Sequence, residues 1–190
     1  MFTVALFVLC FILNVGVTHA QIVGIGKCPP VVAQKELDVK EYLGDWYEIY
    51  KFKANFEDGQ ECIKANYLLK EDKHIRVQNE GKTPNGETIS IVGDGYAPDE
   101  NEPAKLLVKF SEAAPYGNYW VVDTDYKTYT LIYSCSEVVD VHFEFAWILA
   151  REKSITAEIK TKLFQELEDF KVDTKNFMKT DQTASYCEDK

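Results

Sequence analysis

The first twenty residues, MFTVALFVLCFILNVGVTHA, contain no Asp, Glu, Lys or Arg. A run this apolar is long enough to cross a bilayer. It stands at the N-terminus, however, and closes on Thr18-His19-Ala20, a small-x-small pattern suited to signal peptidase. The expectation is a signal peptide over residues 1–20 and a secreted, extracellular domain over 21–190. No later stretch is long and apolar enough to span a membrane, so constitutive membrane insertion is not expected. The chain also lacks any Asn-x-Ser/Thr, which leaves no acceptor for N-glycosylation. It has no Cys-x-x-Cys or Cys/His spacing of the kind zinc requires, so no metal is expected. Basic residues are the minority, 21 Lys and Arg against 31 Asp and Glu, for a net charge of -10. An acidic surface repels phosphate backbones and anionic headgroups, which excludes nucleic acid as a partner. The acidic runs EDGQE and DENE read as solvated loops rather than metal sites.

Four cysteines follow the leader: Cys28, Cys62, Cys135 and Cys187. In an oxidising compartment four Cys suggest two disulfides, with three possible connectivities. No internal repeat, low-complexity block or interdomain linker interrupts the chain. Short β-rich segments recur instead, separated by Gly, Pro, Asn and Asp clusters. They are DWYEIYKF, CIKANYLLK, HIRVQN, TISIVGDGYA, AKLLVKF, NYWVVDT, TYTLIYSC and FEFAWILA. Eight strands joined by short turns point to antiparallel neighbours, in a sandwich or an up-and-down barrel.

The period then changes. In SITAEIKTKLFQELEDF, Ile155, Ile159, Leu163, Leu167 and Phe170 fall on one side at three- to four-residue spacing. This predicts one amphipathic helix, opened by Ser154 or Thr156 as its cap. A short last strand, NFMKTD, follows. The eighth strand shows how the helix docks: Phe143, Phe145, Trp147 and Leu149 share one face, and Glu144, Ala146, Ile148 and Ala150 the other. The second face is small from Ala146 onward and admits a helix closely; the first is too bulky for solvent and belongs to an interior.

GDWYE (Gly44 to Glu48), TDY (Thr124 to Tyr126) and Arg151 then stand in order at the start of strand one, after strand six and after strand eight. In these three places the chain resembles the lipocalins. KCPP, YLGDWYEI, CIKANY, EPAKLLVKF, TLIYSC and FAWILAR narrow the resemblance to the apolipoprotein D-like subfamily, with insect apolipoprotein D and bilin-binding proteins among its relatives. It covers essentially the whole chain after the leader. It implies an all-β fold: an eight-stranded antiparallel up-and-down barrel with one C-terminal α-helix packed outside. It gives Gly44, Trp46, Thr124, Asp125, Tyr126 and Arg151 structural roles, with Trp46 closing the barrel floor and Arg151 stacked across its ring. It also implies the disulfides Cys28–Cys135 and Cys62–Cys187.

An eight-stranded barrel either fills its interior or leaves room for one small ligand. Eleven Tyr, eleven Phe and three Trp favour a cavity, because inward tyrosines need partners or water for their hydroxyls. Parity and resemblance together place Tyr67, Asn79, Phe110, Tyr119, Trp147 and Leu149 on its lining, and leave Tyr50, Tyr129 and Tyr133 as outer or floor residues. The function implied is that of a secreted carrier of one small hydrophobic molecule: a fatty acid, retinoid, sterol-like lipid or bilin. No cofactor is required beyond such a bound lipid or bilin. The alternatives are a biliverdin-binding pigment protein, or a lipocalin that meets a cell-surface receptor and for which the ligand is secondary. Catalysis is not expected. The implied disulfides consume every Cys after the leader, and His74 and His142 stand near strand ends, as surface or rim residues rather than haem ligands.

Overall fold

The computed structural model describes residues 22–188; the expected leader lies outside them. Ten strands form one sheet: β1 (Ile22–Ile25), β2 (Gly44–Phe52), β3 (Glu61–Leu69), β4 (Ile75–Lys82), β5 (Thr88–Tyr96), β6 (Lys105–Lys109), β7 (Gly117–Thr124), β8 (Tyr129–Val138), β9 (Val141–Ala150) and β10 (Phe177–Lys179). From β2 to β9 each strand pairs antiparallel with the next, and β9 returns to β2. This is the closed eight-stranded barrel that the turn spacing and the resemblance led us to expect.

Closure is partial along the β2–β9 seam. Trp147–Ala150 pair with residues between Tyr47 and Lys51. Towards the other end the two strands part. There β9 takes β1 as its partner, in register from Ile22↔Glu144 to Ile25↔Val141. β10 pairs with the opposite edge of β2, from Phe177↔Phe52 to Lys179↔Tyr50, beyond Tyr47 where the pairing with β3 ends. Each bare strand edge is thus covered by a short strand from a chain terminus, which removes a template for unwanted pairing. Nothing in the sequence pattern announces β1. Four residues containing a Gly carry no period of their own and become a strand only because β9 offers an edge.

Two helices complete the fold: α1 (Val39–Tyr42), capped by the Asp38 side chain, and α2 (Ala157–Asp169). Of the two expected caps for α2, Thr156 takes the role, its hydroxyl accepting from the Ile159 amide at 3.3 Å. Leu163 and Leu167 are fully buried in a cluster with Ala146, Ile148, Leu131 and Tyr133 of the outer barrel wall. The small residues of β9 therefore receive the helix, while its alternate face looks inward. The bonds Cys28–Cys135 and Cys62–Cys187 are both formed. The first holds the N-terminal segment to β8, and the second holds the C-terminal tail to β3.

Candidate functional site: the barrel cavity

The floor is built first, from local chemistry. At Gly44 the chain turns into β2 with φ +90°, a conformation that favours glycine. Two residues on, Trp46 is completely buried and donates its indole N–H to the Tyr42 carbonyl at 2.8 Å. The Arg151 guanidinium lies 3.7 Å from the centre of the Trp46 ring. Its nitrogens donate to the carbonyls of Tyr126, Asp45 and Glu41 at 3.0, 2.7 and 2.9 Å. Asp125 fixes the turn that carries Tyr126, its carboxylate accepting from the amides of Lys127, Thr128 and Tyr129. Thr124 donates its hydroxyl to the Tyr129 carbonyl and accepts from the Tyr126 amide. The six residues that carry the resemblance thus meet at one end of the barrel and tie α1, β2, the β7–β8 turn and β9 together. Their geometry is that of a plug.

Above this floor lies a hydroxyl cluster. Tyr119 Oη sits 3.1 Å from Tyr42 Oη and 2.8 Å from Tyr67 Oη, and Tyr42 Oη sits 3.2 Å from Thr130 Oγ1. Burial raises all three phenols, Tyr42 to about 12, so they remain protonated donors across neutral pH. Inward tyrosines are expected to need partners or water for their hydroxyls, and here they find partners in one another and in Thr130.

The cavity opens above the cluster. It encloses about 210 Å³, and Tyr67, Asn79, Phe110, Tyr119, Trp147 and Leu149 all border it. Phe145 and Trp147 stack at 5.7 Å, and Phe56, more than half exposed, tilts against Phe145 at the mouth. The space continues into a vestibule of about 340 Å³ between β4, β5 and the β6–β7 loop, bordered by Ile89, Ile91 and Phe110. Gly93 is what lets Phe110 in. A Cβ there would come within 2.7 Å of the Phe110 ring and 2.5 Å of the Lys109 carbonyl.

Phe145, on the inward face expected of the eighth strand, also lines the cavity, whereas Phe56, Ile63, Ile132, Ser134 and two acids, Glu48 and Glu57, escape sequence reasoning. Glu57 belongs to EDGQE, which reads as a solvated loop, yet it is only 8 % exposed. A register irregularity between Glu48 and Tyr50 explains part of this. Strict alternation from Trp46 and Glu48 would bring Tyr50 and Phe52 inward. The bulge instead sends both into the outer cluster beneath α2 and β10 and sets Lys51 beside Glu48. Lys51 Nζ stands 3.2 Å from Glu48 Oε1 and 3.5 Å from Glu57 Oε2. Burial, and then repulsion by Glu57, pushes Glu48 up to about 8, although Lys51 and the Thr180 hydroxyl favour its anion. Burial likewise raises Glu57, against the attraction of Lys51.

Tyr129 and Tyr133 also face outward, in the cluster beneath α2. The expectation of two surface or rim histidines is half corrected. His74 lies before β4 at the closed end, stacked on Tyr96 at 4.8 Å and bonded to Asp94. His142 is buried under β1 on the outer wall, its ring between the Gly26 carbonyl and Glu144. Neither borders the cavity.

Residues 37–182 match the family described as the lipocalin-like domain. The chain belongs to the lipocalin family. Apolipoprotein D of Oryctolagus cuniculus is 39 % identical over 169 residues, 88 % of this chain and 89 % of the relative. Apolipoprotein D of Mus musculus is 41 % identical over 159 residues, 83 % of this chain and 84 % of the relative. The Lazarillo protein of Schistocerca americana is 28 % identical over 84 % of this chain and 77 % of its own. Among solved structures, insecticyanin from the tobacco hornworm Manduca sexta superposes with a TM-score of 0.77 at 28 % identity, covering 88 % of this lipocalin and 92 % of its own chain. Family membership of this kind implies, in general terms, a carrier of small hydrophobic molecules, and such carriers are typically not enzymes.

Proposed function

We propose that this lipocalin is a secreted carrier that holds one small hydrophobic molecule in the barrel cavity and does no chemistry on it. The observation that carries this reading is the cavity itself, walled by Phe110, Phe145 and Trp147 and sealed below by Trp46 and Arg151. A concave apolar site with a few placed polar groups is the usual character of a small-molecule site. Burying about 300 Å² of apolar ligand at about 25 cal/mol per Å² contributes roughly 7–8 kcal/mol. Lost translational and rotational freedom cancels several of these. The balance corresponds to affinities on the order of micromolar to tens of nanomolar, tight enough to carry and loose enough to release. Two disulfides fit an oxidising extracellular compartment. His74 and His142 both turn away from the cavity and every described cysteine is bonded, which supports a non-catalytic role.

The bilin alternative would place two propionates near a cavity whose charged lining residues are Glu48 and Glu57. We therefore favour a lipid of low charge. The test is tryptophan fluorescence of oxidised 21–190, titrated in parallel with biliverdin and arachidonate, in the native protein and in Trp147→Phe. Saturable quenching that is lost in Trp147→Phe supports a ligand seated at this wall. Tight binding of biliverdin alone would make this a pigment protein, and silence towards both would mean that neither a fatty acid nor this bilin is its cargo.

A further inference from the structure

Three polar atoms buried in or beside this cavity make no hydrogen bond, Glu57 Oε2, Asn79 Oδ1 and Lys51 Nζ; Glu57 Oε2 and Lys51 Nζ still face each other as an ion pair at 3.5 Å, and Asn79 Oδ1 has no partner of either kind. Two of them, on Glu57 and Asn79, belong to residues that border both the cavity and the vestibule, at the junction between the two spaces. Lys51 borders neither. It lies behind the carboxyls of Glu48 and Glu57 as their counter-charge. Lys109 borders the vestibule, but its ammonium is paired with Glu112 at 2.9 Å. The buried atoms without a hydrogen bond at this junction, among the described residues, are therefore acceptor oxygens. An unpartnered buried acceptor such as Asn79 Oδ1 costs about 1–3 kcal/mol, which a ligand bearing a donor would recover.

The charge count points the same way. Two carboxyls and one ammonium sum to -1 when all are ionised, and to zero when the two acids hold one proton between them. A ligand carboxylate at the junction would be a third acid there, desolvated, with Lys51 already shared between Glu48 and Glu57. A hydroxyl would donate its hydrogen to Glu57 Oε2 or Asn79 Oδ1 and bring no charge. The apolar remainder of such a molecule would lie along Phe110, Phe145 and Trp147.

We infer that the junction of cavity and vestibule is a hydrogen-bond-acceptor subsite formed by Glu57 and Asn79, which selects an elongated apolar alcohol over the carboxylic acid of the same carbon skeleton. The inference rests on the carrier reading above and names the ligand class for it.

The test compares retinol with retinoic acid at pH 7.4 by tryptophan quenching and by displacement of the neutral dye N-phenyl-1-naphthylamine. Retinol is expected to bind at least tenfold more tightly than retinoate. Asn79→Leu should weaken retinol at least fivefold, and Glu57→Gln should strengthen retinoate at least fivefold, so that the preference collapses in both. Asn79 is half-buried and its Oδ1 has no partner to lose, so that variant tests the subsite even if Glu57→Gln folds poorly. Retinoate binding as tightly as retinol, or a preference unchanged in both variants, overturns the inference and leaves the carrier reading standing. Dye that binds and cannot be displaced by retinol overturns it in the same way. If neither the retinoids nor the dye bind, the carrier reading falls and this inference falls with it.

Discussion

Arg151 donates to carbonyls on α1, β2 and the β7–β8 turn while its plane covers Trp46. Stacking and charge-assisted hydrogen bonds of this kind contribute about 0.5–3 kcal/mol each where water is excluded. Arg151→Met is expected to lower unfolding stability by about 2–4 kcal/mol in urea titrations. Ligand affinity should stay within about threefold, because Arg151 does not border the cavity. A large loss of affinity at unchanged stability would instead give Arg151 a part in binding. This residue and Trp46 are legible in the chain because they sit in fixed order around a Gly and a TDY turn. Lys51 and Glu57 are not: their burial depends on a bulge and on a loop folding back over the mouth, neither of which leaves a mark in local composition. Of the five aromatics in YLGDWYEIYKF, two build the floor and two pack beneath α2, and none borders the cavity; Glu48 is the one residue of that stretch that does.

Elements with their own periodicity are legible, and elements that depend on a partner are not. The helix α2 declares itself through Leu163 and Leu167, and its docking face through Ala146 and Ile148. Leu163→Ala should cost about 2–5 kcal/mol, by lost transfer energy plus the cavity left against the barrel wall. Gln165→Ala, on the exposed side of the same helix, should stay within about 0.5 kcal/mol. Thermal melts of the two variants check this; equal melting temperatures would mean that α2 is not part of the cooperative fold. β1 and the parted β2–β9 seam belong to the other kind. Their pairings join residues far apart in the chain, Ile22 with Glu144 and Lys51 with Trp147, and their short edge segments carry too few residues to show a period.

Across the whole molecule, buried acids set the pH response. Glu48 has its folded pKa raised to about 8 and Glu166 to about 7, in both cases first by burial, from an ordinary value of 4.5. Between these values the native state holds protons that the unfolded chain releases. The stability they contribute is fully present below about 4.5 and is lost as pH rises through about 7–8. Asp94 acts in the opposite sense. Burial raises it, but hydrogen bonds from Lys70, His74 and Tyr116 outweigh burial and hold it at about 2, so its contribution is lost as pH falls from 3.8 towards that value. The melting temperature should therefore peak in mild acid and decline from about pH 5 to pH 8.5. Glu48→Gln should flatten that decline. A wild-type profile that is flat over this range would show that Glu48 and Glu166 ionise normally.

The eight barrel strands, the helix, the floor residues and the family can all be read along the chain, because alternation, helical period and the signature residues are local patterns repeated over enough positions to be unambiguous. Six lining positions are reachable by parity and resemblance together, although β3 and β7 each carry a register irregularity and Phe110 lies just past the end of β6. The acids at the cavity are settled elsewhere. A single bulge in β2 reverses parity between Glu48 and Lys51, and the β2–β3 loop carries Glu57 into the mouth, so a segment composed like a solvated turn ends as a buried charge. Which hydroxyls pair, which cation is shielded and which oxygens stay unpartnered depend on distances between residues far apart in the chain, and those distances exist only once the barrel has closed.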